Sequence, residues 1–405
     1  MRGALGKRGG NDLYTYWYAG LHIRQGNDPY RAFLDNTPPS LPIRFLDGVA
    51  TDRSDVVRSD LQPAPGLTFP LIFLLTPFSM LSFNTARLAW FILLILLNLS
   101  IPALLLRAIL EKTHLPKLEY LVILGLTMGM SSTRYATISG QPSIMVIALM
   151  LIAWIQARER PYLAGLFLGF ALSKYSLALG FWIYFAVVER RPKVSLTALG
   201  VQAAGVIGLT WLGSLSIPQV LDGYIQLFLH HAPMEGIQLT SLLPGIDAYS
   251  PPLAIALSLL VGIPLALILS RTKLETEMIQ ARPILRTTFL TVLTFWSMLV
   301  AYHRAYDLQV FILMLGLVML LRNAEMEPAV DKRTLTLTTI YTGIGILVLS
   351  FPAGSTLRQW LPAQLGPLLI RVILRTSTWV VLTGLGLTIT LLSRLTSHGD
   401  RSPSK

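Results

Sequence analysis

The fold class that this sequence predicts is an all-α polytopic membrane protein of about eleven spans, and three observations predict it. Between Thr85 and the C-terminus, long apolar runs follow one another with almost no charge inside them. The charges gather in short connectors, and every second connector is crowded with Lys and Arg. Finally, 53% of the 405 residues are hydrophobic and only 13% are charged, against roughly 25% charged in soluble domains. Lipid is therefore the main solvent of this chain.

The net charge of +12 raises the question of nucleic acid. The basic residues are spread over alternate loops and form no continuous patch, so nucleic acid is excluded as a partner; positive loops mark cytoplasmic orientation. The chain has no cysteine, which excludes disulfides, thiolate metal sites and cysteine nucleophiles. Asp47, Asp52, Asp55 and Asp60 lack the spacing of a calcium loop and alternate with Arg53 and Arg58, as in a solvated loop. No metal and no cofactor are expected.

Met1 to Gly10 are basic and glycine-rich, and no apolar stretch follows them as in a signal peptide. Residues 1–66 form an extracytoplasmic N-terminal loop, polar from residue 11 onward. Nothing in the chain would carry this loop across a bilayer, so the expectation is that the chain begins late and lacks a first helix. Residues 67–82 are apolar but interrupted by Pro70 and Pro77; a span needs ~20 apolar residues, so this is an interfacial or re-entrant helix. The bundle, residues 83–393, has spans at about 85–107, 118–132, 142–157, 161–173, 175–188, 194–215, 251–269, 285–301, 308–322, 334–351 and 376–393. Helices are expected because unpaired backbone groups cannot face lipid. The connectors at 111–117, 158–160, 189–193, 270–286 and 322–333 and the tail 394–405 carry most of the Lys and Arg and are cytoplasmic. The N-terminal loop, the turns at Arg134, Lys174 and Arg304, and the loops 216–250 and 352–366 then lie outside. No internal repeat and no matched pair of broken helices is visible.

The outer face collects the candidates for chemistry. Asp12 precedes Tyr14, Tyr16, Trp17 and Tyr18. This is either an interfacial aromatic belt with a solvated Asp, or a carboxylate held beside rings where it can act as general base towards a hydroxyl. Gly26-Asn27-Asp28-Pro29-Tyr30 is a turn signal, and Asp28 reads as part of that turn. Gln141, in Gly140-Gln141-Pro142-Ser143, either caps a helix or binds a ligand hydroxyl. Lys174 lies between two apolar stretches; an uncompensated Lys there is costly, so it snorkels to the surface or neutralises a phosphate, with Arg134 and Arg304 on the same face. His303-Arg304-Ala305-Tyr306-Asp307 is the densest polar group of the membrane half. It is either a tight turn with snorkelling groups or a site, in which a His and an Asp share a proton with another carboxylate and Arg304 presents a planar fork to phosphate oxygens.

These residues, in this order, resemble glycosyltransferase family 87. They are Asp12, Tyr16, Trp17 and Ala19; Gly26 and Pro29-Tyr30; Phe69-Pro70 and Pro77 leading to Ala86 and Trp90; Gly140-Gln141; Ala164-Gly165, Gly169 and Lys174; and His303 with Tyr306-Asp307. The resemblance covers about residues 11–320. It implies a GT-C helix bundle in the plasma membrane, active on the extracytoplasmic face, which moves mannose from a polyprenyl-phosphate donor to a lipid or glycan acceptor with inversion. It assigns Asp12 as catalytic base and His303 as its partner. Lys174 and Arg304, with Arg134, become donor-phosphate ligands, and Tyr16, Trp17, Gln141, Tyr306 and Asp307 line the substrates. The chain departs from the family at Thr68-Phe69-Pro70, where members carry Tyr-Pro-Pro, at Ser143, where an Asn is common, and in lacking the first helix.

A phosphate monoester on a prenyl chain leaves as an anion, so it needs fixed cations and no general acid; one carboxylate suffices, where hydrolases commonly use two. The absence of a glycine-rich nucleotide loop fits a lipid-linked donor. A transporter or flippase of a lipid-linked sugar shares the many spans, but should show mid-span charges or a repeat. A non-catalytic scaffold would not need the groups at Lys174 and His303.

Overall fold

The computed structural model describes residues 11–35, 44–45, 48–49, 69–110, 117–231, 282–300, 305–323, 332–350 and 376–399. His303, Arg304, the four aspartates from Asp47 to Asp60, the expected span at 251–269 and the loop 352–366 lie outside them. In chain order the helices are α1 (Asn11–Arg24), α2 (Pro29–Leu34), α3 (Phe69–Leu75), α4 (Phe83–Leu110), α5 (Lys117–Gly129), α6 (Ser131–Ser139), α7 (Ser143–Gln156), α8 (Pro161–Ala171), α9 (Tyr175–Ile183), α10 (Pro192–Gly213), α11 (Ile217–His231), α12 (Pro283–Val300), α13 (Ile312–Asn323), α14 (Lys332–Ser350) and α15 (Thr376–Gly399). Tighter or wider helical turns extend several of them: 3-10 turns at Thr76–Met80, Leu172–Lys174 and Ala305–Phe311, and a π-turn at Tyr184–Val188. Arg44–Phe45 pairs antiparallel with Gly48–Val49.

Residues 11–34 are thus largely helical, where the sequence reads as a polar loop. Asp12, Leu13 and every residue from Thr15 to Ile23 are buried, so α1 is a core helix. Its aromatic spacing reflects packing on several sides.

Among the described residues, six runs are long and apolar enough to cross a membrane: α4, Pro161–Val188, α10, α12, α14 and Ser377–Thr396. A seventh is the pair α6 and α7, bent by 111° at Gly140. The count of eleven spans is not confirmed among the described residues: α5 has 13 residues, and α13 has 12 after the 3-10 turn Ala305–Phe311. Large apolar residues are exposed in stripes on the long runs: Leu88, Ile92, Leu96 and Leu99 on α4, and Leu337, Ile340, Ile344 and Leu347 on α14. Such faces belong against lipid.

The chain divides into two compact units, Met1–Leu99 with Tyr135–Tyr175 and Lys193–Pro233, and Ser100–Arg134 with Ser176–Pro192 and Met234–Lys405. In the first, α7 and α8 pack as an antiparallel hairpin through the exposed connector Arg158-Glu159-Arg160. Helix α10 runs parallel to α8. Added Cβ atoms at Gly165 and Gly169 would lie 2.5 Å from Thr197 and Val201 respectively, and Gln202 donates to the Gly169 carbonyl at 2.6 Å. A pair of glycines four apart lets two membrane helices approach this closely. The Lys193 ammonium also lies 5.7 Å from the ring of Tyr162. A 3-10 turn at Leu172–Lys174 interrupts the α-geometry of the run Pro161–Val188.

In the second unit α12 is buried along nearly its whole length and packs on α13 and α15. Thr287, Thr288, Thr291 and Thr294 are buried, and each hydroxyl donates to the carbonyl four residues back, which satisfies polar groups inside an apolar layer. Glu189, in a connector expected to be cytoplasmic, is 1% exposed. Its carboxylate accepts from Tyr184 Oη at 2.7 Å and from Arg191 Nε at 2.5 Å, and Arg286 Nε lies 3.3 Å away.

Candidate active site

The site is built on the break between α6 and α7. Gly140 has φ +75°, a left-handed conformation that favours glycine. The N–H of Gln141 reaches back to the Ala136 carbonyl at 2.8 Å, closing α6 as a Schellman cap. The Gly140 carbonyl accepts from the indole of Trp90 at 2.8 Å, and Trp90 is 1% exposed on α4. A second helix thus locks the break. Pro142 then starts α7, whose first intrahelical bond is Val146 N–H to Pro142 C=O. The amides of Ser143 to Met145 stand at the positive end of the helix.

Lys174 meets this end. It is 8% exposed, and its ammonium donates to Ser143 Oγ at 2.7 Å and to Gln141 Oε1 at 3.5 Å. Its neighbour Ser173 accepts from the Leu71 amide at 3.1 Å, joining α3 to the same level. Pro70 packs so closely on α10 that an added Cβ at Gly205 would lie 2.6 Å from its nitrogen. The ammonium is buried in the first unit and not on its surface.

A buried ammonium facing the amide end of a helix, with a hydroxyl and a carboxamide beside it, suits an anion with several oxygens. Ser143 was visible in the sequence only as a departure from Asn. In the fold its hydroxyl accepts from Lys174 at 2.7 Å, a polar role that spacing could not reveal.

Asp12 is 8% exposed in the first turn of α1, where the helix dipole favours a carboxylate. Tyr16 is buried. Trp17 donates its indole N–H to the Leu81 carbonyl at 3.1 Å and packs on Tyr14 and Phe83, so it pins α1 to the turn before α4. His22, on the same helix, is fully buried, and neither ring nitrogen has a hydrogen-bond partner. Burial lowers its pKa to about 4, leaving a neutral imidazole edge-on to Tyr18. Asp28 caps α2, accepting from Tyr30 N–H at 2.8 Å and Arg31 N–H at 3.3 Å, as its turn reading implied. Burial also raises its pKa.

In the second unit, Arg134 is exposed and donates to the Ser350 carbonyl at 3.0 Å, capping α14. Asp307 is 2% exposed in the turn that precedes α13. Tyr306 belongs to the same turn.

The family model of glycosyltransferase family 87 matches residues 69–350, more than half of the chain. No curated protein and no solved structure matches it.

Proposed function

Because this chain belongs to glycosyltransferase family 87, we propose that it moves a hexose, mannose by family resemblance, from a polyprenyl-phosphate donor to a lipid or glycan acceptor on the extracytoplasmic face of the plasma membrane. The observation that carries this reading is the Lys174 ammonium, buried beside Ser143 and Gln141 at the N-terminal end of α7. The ammonium, the Ser143 hydroxyl and the first amides of α7 offer donors to phosphate oxygens, and a donor that carries its phosphate on a lipid reaches them from the membrane.

The reaction then proceeds as a single displacement. Asp12 removes the acceptor hydroxyl proton as that oxygen bonds to the anomeric carbon. The bond from this carbon to the phosphate oxygen breaks on the opposite face, which inverts the centre. Lys174, with Arg304, neutralises the departing phosphate monoester. His303 orients the carboxylate of Asp12, and Gln141, Tyr306 and Asp307 contact the substrates. The 111° break between α6 and α7 is a device that transporters also use to aim a helix end at a substrate, but membership of a transferase family decides between the two.

The test is transfer by purified protein in lipid nanodiscs, from a synthetic short-chain polyprenyl-phosphate hexose with no nucleotide sugar added. Transfer supports the proposal. Activity that instead requires a nucleotide sugar, in a system that cannot make the lipid-linked donor, overturns it.

A further inference from the structure

Helix α11, in the first unit, presents three distinct faces. Val220, Gly223 and Leu227 are buried, and Tyr224 packs on Tyr30 at 5.4 Å and on Phe69 at 5.2 Å. This face seats the helix on α2 and on the start of α3. Ile217, Leu221 and Ile225 are 48%, 38% and 52% exposed. They recur every four residues, so they form one outward stripe, with the exposed Pro218 at its edge. Gln219, Asp222 and Gln226 form a second outward stripe on the far side of the first. The two carboxamides are exposed, and Asp222 pairs with the exposed Arg31 of α2. Outward from the protein, the helix is therefore apolar along one side and polar along the other.

The chain holds this helix at the end of a span. Only Ser214, Leu215 and Ser216 separate it from α10, one of the runs able to cross a membrane. The Leu215 amide closes α10 on the Thr210 carbonyl at 3.0 Å, Ser214 takes a φ of +50°, and the Ser216 amide donates to Gln219 Oε1 at 2.8 Å, which opens α11 with a reciprocal cap. A turn this short keeps α11 at the level where α10 ends. Trp211, 79% exposed near the end of α10, is a residue type enriched where a bilayer meets water. Helix α11 has 15 residues, about 22 Å of helix, too short to cross ~30 Å of hydrocarbon. We propose that α11 is an interfacial helix: it lies in the bilayer surface with Ile217, Leu221 and Ile225 among the upper acyl chains and Gln219, Asp222 and Gln226 turned to water. Lipid is the occupant because the stripe continues from a span that itself exposes Leu196, Leu199 and Ile207. Three side chains are also far less than the surface a stable protein partner needs. The helix carries no Lys or Arg, so apolar burial seats it and anionic lipid is not required.

The chain has no cysteine, so Ile217→Cys, Leu221→Cys, Ile225→Cys and Gln226→Cys can each carry a single nitroxide. In nanodiscs of zwitterionic phosphatidylcholine, collisions with oxygen and with a water-soluble nickel chelate read the depth of each label. Leu96→Cys on α4 serves as the lipid-immersed standard. Labels at 217, 221 and 225 should share one depth, about 5–10 Å into the headgroup and acyl boundary, while the label at 226 stays open to the chelate. Three positions on the stripe keep the test decisive if one variant does not fold. Labels at 221 and 225 as open to the chelate as the one at 226 would put the stripe in water and overturn the proposal. Labels shielded from both oxygen and chelate would mean that protein covers the stripe, and would overturn it as well. A depth that increases steadily from 217 to 225 would make the helix enter the bilayer end-on, which is the third way the proposal fails.

Discussion

The ammonium of Lys174 donates to Ser143 Oγ across 2.7 Å, joining the end of one membrane leg to the first turn of another. This contact turns two unremarkable sequence features, a lysine between apolar stretches and a serine after a proline, into one polar crevice. Hydrogen bonds to charged groups contribute about 1.5–3 kcal/mol. Lys174→Ala should therefore raise the donor KM by about 10- to 100-fold, with Lys174→Arg recovering part of it. Ser143→Ala should cost less, roughly fivefold. Steady-state kinetics with the lipid-linked donor measures this, and an unchanged KM in Lys174→Ala would make the lysine a structural tie.

Asp12→Asn preserves shape and removes the proton acceptor. Transfer should fall by ~10²–10⁴, the range of a general base, while donor binding persists. His303→Ala should lose less, because an orienting group is not the base. Turnover close to wild type in Asp12→Asn would move the search for the base to Asp307.

His22 gives a pH signature. Its pKa is lowered by burial to about 4 in the folded state, against about 6.5 when unfolded. The neutral form is favoured by folding, so this contribution to stability is complete above pH 6.5 and is lost as pH falls towards 4. The thermal midpoint in detergent should drop over that window more steeply in the wild type than in His22→Phe. Parallel curves for the two proteins would remove His22 as the cause.

Glu189 sits within reach of two arginines and a tyrosine hydroxyl. Removing one member of a buried ion pair costs about 3–5 kcal/mol, so Glu189→Gln should lower the unfolding midpoint strongly. Adding Arg286→Met to it should restore much of the loss, since the stranded charge is then gone. A Glu189→Gln protein as stable as wild type would show that the cluster is solvated.

The sequence by itself determined that the chain is helical and lives in lipid, because apolar runs without charge leave the backbone no other way to satisfy its hydrogen bonds. It also placed the start of a span at Pro142 and a turn at Lys174, since glycine, proline and an isolated charge act locally. What it could not determine was which polar groups would meet. Lys174 reaches Gln141 and Ser143, 33 and 31 residues earlier, and no periodicity encodes such a distance. Charge alone made Glu189 and Arg286 part of cytoplasmic connectors, and packing buries them together. The tertiary structure decided these points, because burial converts a side chain from a solvated group into one that must find a partner. That partner is chosen by the approach of helices at Gly165, Gly169 and Gly205, where the missing side chains let the bundle close.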